Sequence, residues 1–176
     1  MRTRSTRTGR AVAGAAARGA VAGVVGTVAM DGLWYSRYRR GGGTQPFGAW
    51  EVTRGVEDWD QAPAPARMGR ILIRAATGRD VPVERAAALS NVMHWSYGTS
   101  WAAGYGIATA VLRRRPWWHG LAFGALVWAS DYVTLPLAGV YEPIWRYDAA
   151  TLGKDLSAHL VFGAVADGVL RVLPGR

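Results

Sequence analysis

The chain has 176 residues, half of them apolar, no cysteine, and a formal net charge of +9 from 21 basic against 12 acidic side chains. That is one domain's worth of sequence, and the missing thiols exclude disulfides, iron–sulfur clusters and thiolate zinc sites. The basic excess does not mark a nucleic-acid binder: the arginines are scattered between apolar runs, and no zinc-finger or RNA-binding signature accompanies them.

Mean hydropathy is close to neutral only because an arginine-rich segment dilutes long apolar runs. The windows therefore decide, and they read as membrane spans. The Arg, Ala and Gly bias fits a GC-rich coding genome, which discounts Ala and Gly counts taken alone.

Residues 1–14 form a basic arm, with Arg2, Arg4, Arg7 and Arg10 among Ser, Thr and Gly, expected to be disordered and cytoplasmic. A first transmembrane helix is expected over 15–38, with Arg18 snorkelling outward and Trp34, Tyr35 and Tyr38 at the far interface. A cleaved signal peptide with Thr27, Val28 and Ala29 at its site is the rival, disfavoured because later segments are themselves spans.

Residues 39–85 make a long loop. Its Gly-, Pro- and acid-rich part over 41–66 ends in a stiff linker at 62–66. An amphipathic helix near 67–76 follows, with Met68, Ile71, Leu72 and Ala75 on one face and Arg67, Arg70 and Arg74 on another. Lying on the bilayer, those three arginines would meet anionic headgroups; packing on the rest of the loop is the alternative. Asp80, Pro82 and Glu84 then supply helix-start signals.

The uncharged run 86–112 is the plainest expected span, long enough at about 1.5 Å per residue to cross a hydrocarbon core of roughly 30 Å. After Arg113, Arg114 and Arg115, further spans are expected over 117–139 and 156–173. The fold class is thus all-α, a four-helix transmembrane bundle with both termini on one side. The triplet's very short loop favours cytoplasmic termini, although the nine arginines of residues 36–85 nearly balance the count.

An internal repeat stands out. Gly19 and Gly23 precede Asp31 as Gly120 and Gly124 precede Asp131, and His94-x-x-Tyr97-Gly98 matches His159-x-x-Phe162-Gly163. Two similar hairpins about an axis along the membrane normal would have this pattern. Gly98, Ala102, Gly106 and Ala110 make a small-residue stripe, suited like Gly19, Gly23, Gly120 and Gly124 to close helix packing within one bundle or a homo-oligomer.

Asp31, His94, Asp131 and His159 all fall within about 12 Å of the first-loop end at helical rise, one candidate layer. Ionisable groups at membrane depth must be paired or hydrated, so the layer serves a proton relay or pH-sensitive gate, a divalent metal, or simply interhelical hydrogen bonding. Asp167 is expected to pair with a backbone or hydroxyl group or with Arg171, and His119 to be exposed at the interface. No nucleophile elbow, zinc-protease motif or phosphate-cradling loop occurs, so no catalytic residue, cofactor or resident metal is expected.

Several short motifs resemble a known family. The glycine-spaced first span, His94-x-x-Tyr97-Gly98 running into Gly104-Tyr105-Gly106, Trp118-His119-Gly120-Leu121, Leu135 to Gly139, and Gly153 to Val161 look like the YagU-like family of small bacterial inner-membrane proteins. The likeness covers the four spans and not the first loop. It implies a multi-pass inner-membrane protein with no settled biochemical activity, and an aspartate is not required at the position of Asp131. The expected role is a non-enzymatic, proton-linked or channel-like element; the alternatives are an accessory subunit of a membrane complex and a membrane-embedded metal-dependent enzyme.

Overall fold

The computed structural model describes residues 2–52, 58–112 and 115–174, with side chains from Thr8 onward. Six α-helices and two single 3-10 turns are found among them, and no strand: α1 Arg2–Arg40, α2 Phe47–Val52, α3 Ala64–Thr77, α4 Ala86–Ala110, α5 His119–Leu137 and α6 Ala149–Val172. The long helices α1, α4, α5 and α6 form a bundle, and α3 lies against the first turns of α4.

The helix ends follow local chemistry. Pro63 precedes α3, where its fixed backbone suits an entering chain, and Gly78 ends the helix with φ +70°, a conformation that costs other residues dearly. Asp148 caps α6 by accepting from the Thr151 amide at 2.9 Å, which holds its carboxyl below the usual range. Pro136 sits in the last turn of α5, and Gly139 at φ +68° completes the turn away.

Several expectations change. The arm over 2–14 is not disordered but is the first part of α1, which continues for 39 residues with no proline to break it. The linker over 62–66 supplies the first residues of α3, and α6 begins seven residues before 156, where Asp148 offers the cap. Two members of the Arg113–Arg115 triplet, and Arg54 in the first loop, lie outside the described residues.

Among the described residues, two helices are long and apolar enough to cross a membrane: α1 over Thr8–Arg40, and α5. Neither the expected fourth span over 156–173, in α6, nor the run 86–112, expected to be the plainest span, is one of them. The run 86–112 carries no charge, but its Ser, Asn, His, Thr and Gly residues keep its hydropathy low.

The helices meet through glycine. A Cβ on Gly23 would lie 2.8 Å from Ala102 Cβ, and one on Gly106 would lie 2.8 Å from Gly19 Cα, so α1 and α4 touch backbone to backbone. In α5 and α6, a Cβ on Gly120 would lie 2.7 Å from the Gly163 carbonyl oxygen, and one on Gly163 would lie 2.7 Å from Gly124 Cα. Gly98, Ala102 and Gly106 of the α4 stripe thus meet Gly19 and Gly23 while Ala110 is exposed, whereas Gly120 and Gly124 pack on α6. Close backbone approach of this kind gains dispersion contact between the helices.

The two hairpins join unequally. The backbones of α1 and α6 come close at Gly26, where a Cβ would sit 2.9 Å from the Phe162 carbonyl oxygen. Between α4 and α5 the contact is made by long side chains instead, Tyr105 stacking on Phe123 with centroids 4.1 Å apart. Outside the bundle, Val21, Val24, Val25 and Val28 of α1 and Leu126, Val133 and Leu137 of α5 are exposed.

Candidate functional site

The antiparallel pairing of α1 with α4 and of α5 with α6 brings all four candidate residues to the end that carries the first loop. They do not form one continuous layer; they form two pairs. His94 Nε2 lies 3.0 Å from Asp31 Oδ1, and His159 Nε2 lies 3.2 Å from Asp131 Oδ2. Tyr97, one turn along α4 from His94, reaches across and donates its hydroxyl to Asp131 Oδ1 at 2.6 Å. That bond ties the first hairpin to the second pair.

The pairs differ in surroundings. The Asp31 side chain is 1% exposed and His94 30%, so the first pair has a sealed acid and an accessible base. His159 and Asp131 are 12% and 14% exposed. Asp31 Oδ2 and the Thr27 hydroxyl, one turn apart, are buried without a protein partner among the described residues.

Hydrogen-bond accounting separates the two histidines. His159 Nδ1 faces the Asp155 main-chain oxygen at 2.9 Å, and a carbonyl only accepts, so Nδ1 carries a hydrogen. The contact from Nε2 to the Asp131 carboxylate then requires a second hydrogen, on Nε2 or on the carboxyl. This pair therefore holds one proton more than a neutral imidazole beside a carboxylate. His94 makes no second ring contact among the described residues, so a neutral ring donating from Nε2 satisfies Asp31 Oδ1 with no extra proton.

Sequence reasoning missed the remainder of this end. The Asp155 carboxylate stands 3.5 Å from His159 Nδ1, and the rings of Tyr132, Tyr141 and Tyr147 gather beside it, with Tyr132 5.5 Å from each of the other two. Burial raises the Tyr141 hydroxyl above its ordinary range. Asp155 and His159 stand at i and i+4, a signal that was legible; the tyrosines come from α5 and from the connection that follows it, and had none.

The opposite end has its own hub. Asp167, buried at 3% exposure, accepts from Tyr105 at 2.8 Å, Arg115 at 2.9 Å and Arg171 at 2.7 Å. Tyr105 also meets His119 Nδ1 at 2.6 Å, so His119 is half-buried and engaged rather than exposed. Donors from a tyrosine and two arginines leave both oxygens of this carboxylate satisfied, which suits a structural clasp more than a reactive group.

The arginines expected on headgroups are partly consumed by the protein. Arg67 donates to the Gly139 carbonyl at 3.1 Å. Arg70 forms a bidentate pair with Asp80 at 2.7 and 2.6 Å and stacks over Trp59 at 4.6 Å. Its guanidinium holds the Asp80 carboxyl well below the usual range. Of the three, Arg74 alone makes no side-chain hydrogen bond or ion pair among the described residues.

No group of three or more His, Asp or Glu side chains placed to hold a metal ion occurs among the described residues. No protein-family model matches the chain, and neither a curated protein nor a solved structure does.

Proposed function

We propose that this chain is a multi-pass, non-enzymatic protein of the bacterial inner membrane, a four-helix bundle that holds an exchangeable proton at its first-loop end. The observation that carries the proton-linked part is the bracketed His159 ring, with a carbonyl on one nitrogen, the Asp131 carboxylate on the other, and Tyr97 on the far carboxylate oxygen. His159, Asp131 and Tyr97 make a continuous line of hydrogen-bonding groups along which a proton passes by small shifts of position. The membrane part draws on the exposed valines of α1 and the exposed Leu126, Val133 and Leu137 of α5, an apolar exterior around buried ion pairs. Membership of the YagU-like family belongs to the same proposal and rests on the short motifs alone.

Proton flux into proteoliposomes, followed against external pH for the wild type and Asp131→Asn, tests it. A pH-dependent flux lost in Asp131→Asn is expected; a flat trace unaffected by the substitution overturns the proton-linked reading. Nitrogen NMR of the imidazoles at neutral pH checks the accounting beneath it, with His159 bearing the additional proton and His94 not.

One set of observations favours a second reading, an accessory subunit that conducts nothing. Glycine contacts bring α1 onto α4 and α5 onto α6 with no side chain between them, which closes each hairpin to solutes. Normal folding and phenotype with both His94 and His159 made non-titratable would select this reading.

A further inference from the structure

A cleft of about 610 Å³ opens between the last turns of α3, the connection over 78–85 and the first turns of α4. The left-handed Gly78 makes it, by turning the chain back so that 79–85 forms a second wall opposite α3. Its lining is mostly apolar, from Ile73, Val81, Pro82, Ala88, Leu89 and Val92, and its size falls within the range of sites that enclose small amphiphilic ligands. Arg79 and Arg85 also border it, both exposed.

Charge decides what fits. Asp80, the acid that borders the cleft, is already engaged by both nitrogens of Arg70. Arg79 and Arg85 form no ion pair among the described residues, and Arg74 stands exposed on the neighbouring turn of α3. The site therefore presents an apolar slot with two uncompensated guanidinium groups beside it. An occupant needs a long apolar chain continuous with an anion whose oxygens accept from arginine.

We infer that the cleft binds an anionic glycerophospholipid of the bilayer, one acyl chain in the slot and its phosphate on Arg79 and Arg85. This moves the headgroup contact from the α3 arginines to the connection that follows, because Arg67 and Arg70 are spent on Gly139 and Asp80. It rests on the membrane reading above and adds a specific lipid site to it.

Native mass spectrometry of the full chain in detergent, titrated with phosphatidylglycerol or with phosphatidylcholine of the same acyl composition, tests the site. Phosphatidylglycerol is expected to bind at least about fivefold more tightly, the scale of one favourable arginine–headgroup contact. The double variant Arg79→Gln/Arg85→Gln, exposed at both positions, should bring the two lipids to equal affinity. Ala88→Trp, which fills the slot from an exposed position on α4, should weaken both lipids together. Inorganic phosphate supplied alone should not compete, because the slot contributes much of the binding. Equal binding of the two lipids by the wild type, or wild-type selectivity in the arginine double variant, overturns the site. A chain that stays soluble and monomeric without detergent overturns the membrane reading instead, and is recorded before any lipid is added.

Discussion

The two hairpins carry the same chemistry to different states. In each, glycines bring the helices into backbone contact, and at the first-loop end a histidine meets an aspartate of the partner helix. In the second hairpin the aspartate's other oxygen is taken by the Tyr97 hydroxyl, and the histidine's other nitrogen by a carbonyl. In the first, Asp31 Oδ2 has no protein partner among the described residues, and the residue that corresponds to Tyr97 is Phe162, which has no hydroxyl and packs against Gly26 instead. One oxygen atom's difference between corresponding rings leaves one pair complete and the other open. Repetition of a motif therefore does not repeat its protonation; the Asp155 carbonyl on the second ring nitrogen of His159, which His94 lacks among the described residues, makes that difference.

The comparison breaks most severely at the shared glycine contacts. Gly124→Val places branched carbons against the α6 backbone near Leu160, and the expected loss is on the order of 5 kcal/mol or failure of the hairpin to assemble, read by thermal unfolding in detergent. Gly168→Ala, where an added Cβ meets nothing within 4 Å, should be neutral or stabilising by up to about 1 kcal/mol, and an equal loss there would show that packing is not the cause.

Next in size is the clasp at the far end, which has no counterpart in the first hairpin because Ala102 stands where Asp167 would. Asp167→Ala leaves Arg115, Arg171 and Tyr105 without their acceptor, at a cost of about 3 kcal/mol in the same unfolding measurement. That is the low end for a broken buried pair, since the Arg171 side chain is 37% exposed.

A smaller change makes the halves alike. Tyr97→Phe removes the donor to Asp131 and should cost about 1 kcal/mol, discounted because Tyr97 is itself 39% exposed. The same variant should leave the additional proton on the His159–Asp131 pair, because the Asp155 carbonyl still requires a hydrogen on Nδ1; a His159 imidazole signal that becomes that of His94 would show that Tyr97 sets the state of the pair instead.

The smallest effect lies outside the bundle. Asp80 has its carboxyl lowered by Arg70, so the strap it makes to α3 contributes fully above the ordinary aspartate value of 3.8 and is lost as pH falls below it. Hydrogen exchange in α3 should accelerate over that acid range while exchange in α1 does not, and Asp80→Asn should remove the difference.

Part of this site is legible from residue spacing. The spacing of Gly19, Gly23 and Asp31 against Gly120, Gly124 and Asp131 places each set on one side of a helix, because 3.6 residues per turn is a local property of the backbone. Asp155 with His159, and Asp167 with Arg171, are within reach for the same reason, each pair being four residues apart. Tyr97 to Asp131, Tyr105 to Asp167 and Arg67 to Gly139 are not, since each joins positions from 34 to 72 residues apart that no local rule relates.

Composition and periodicity alone determined that the chain is helical, the central stretches of its long helices and that Asp31, His94, Asp131 and His159 share one end of them. Only the tertiary structure decided that these residues meet as two unequal pairs, and that Arg67 and Arg70 of α3 turn inward to the protein. The physical reason is one of range: helix formation and side-chain phase are set within a few residues, whereas the partner that completes a buried hydrogen bond comes from whichever distant helix packs alongside.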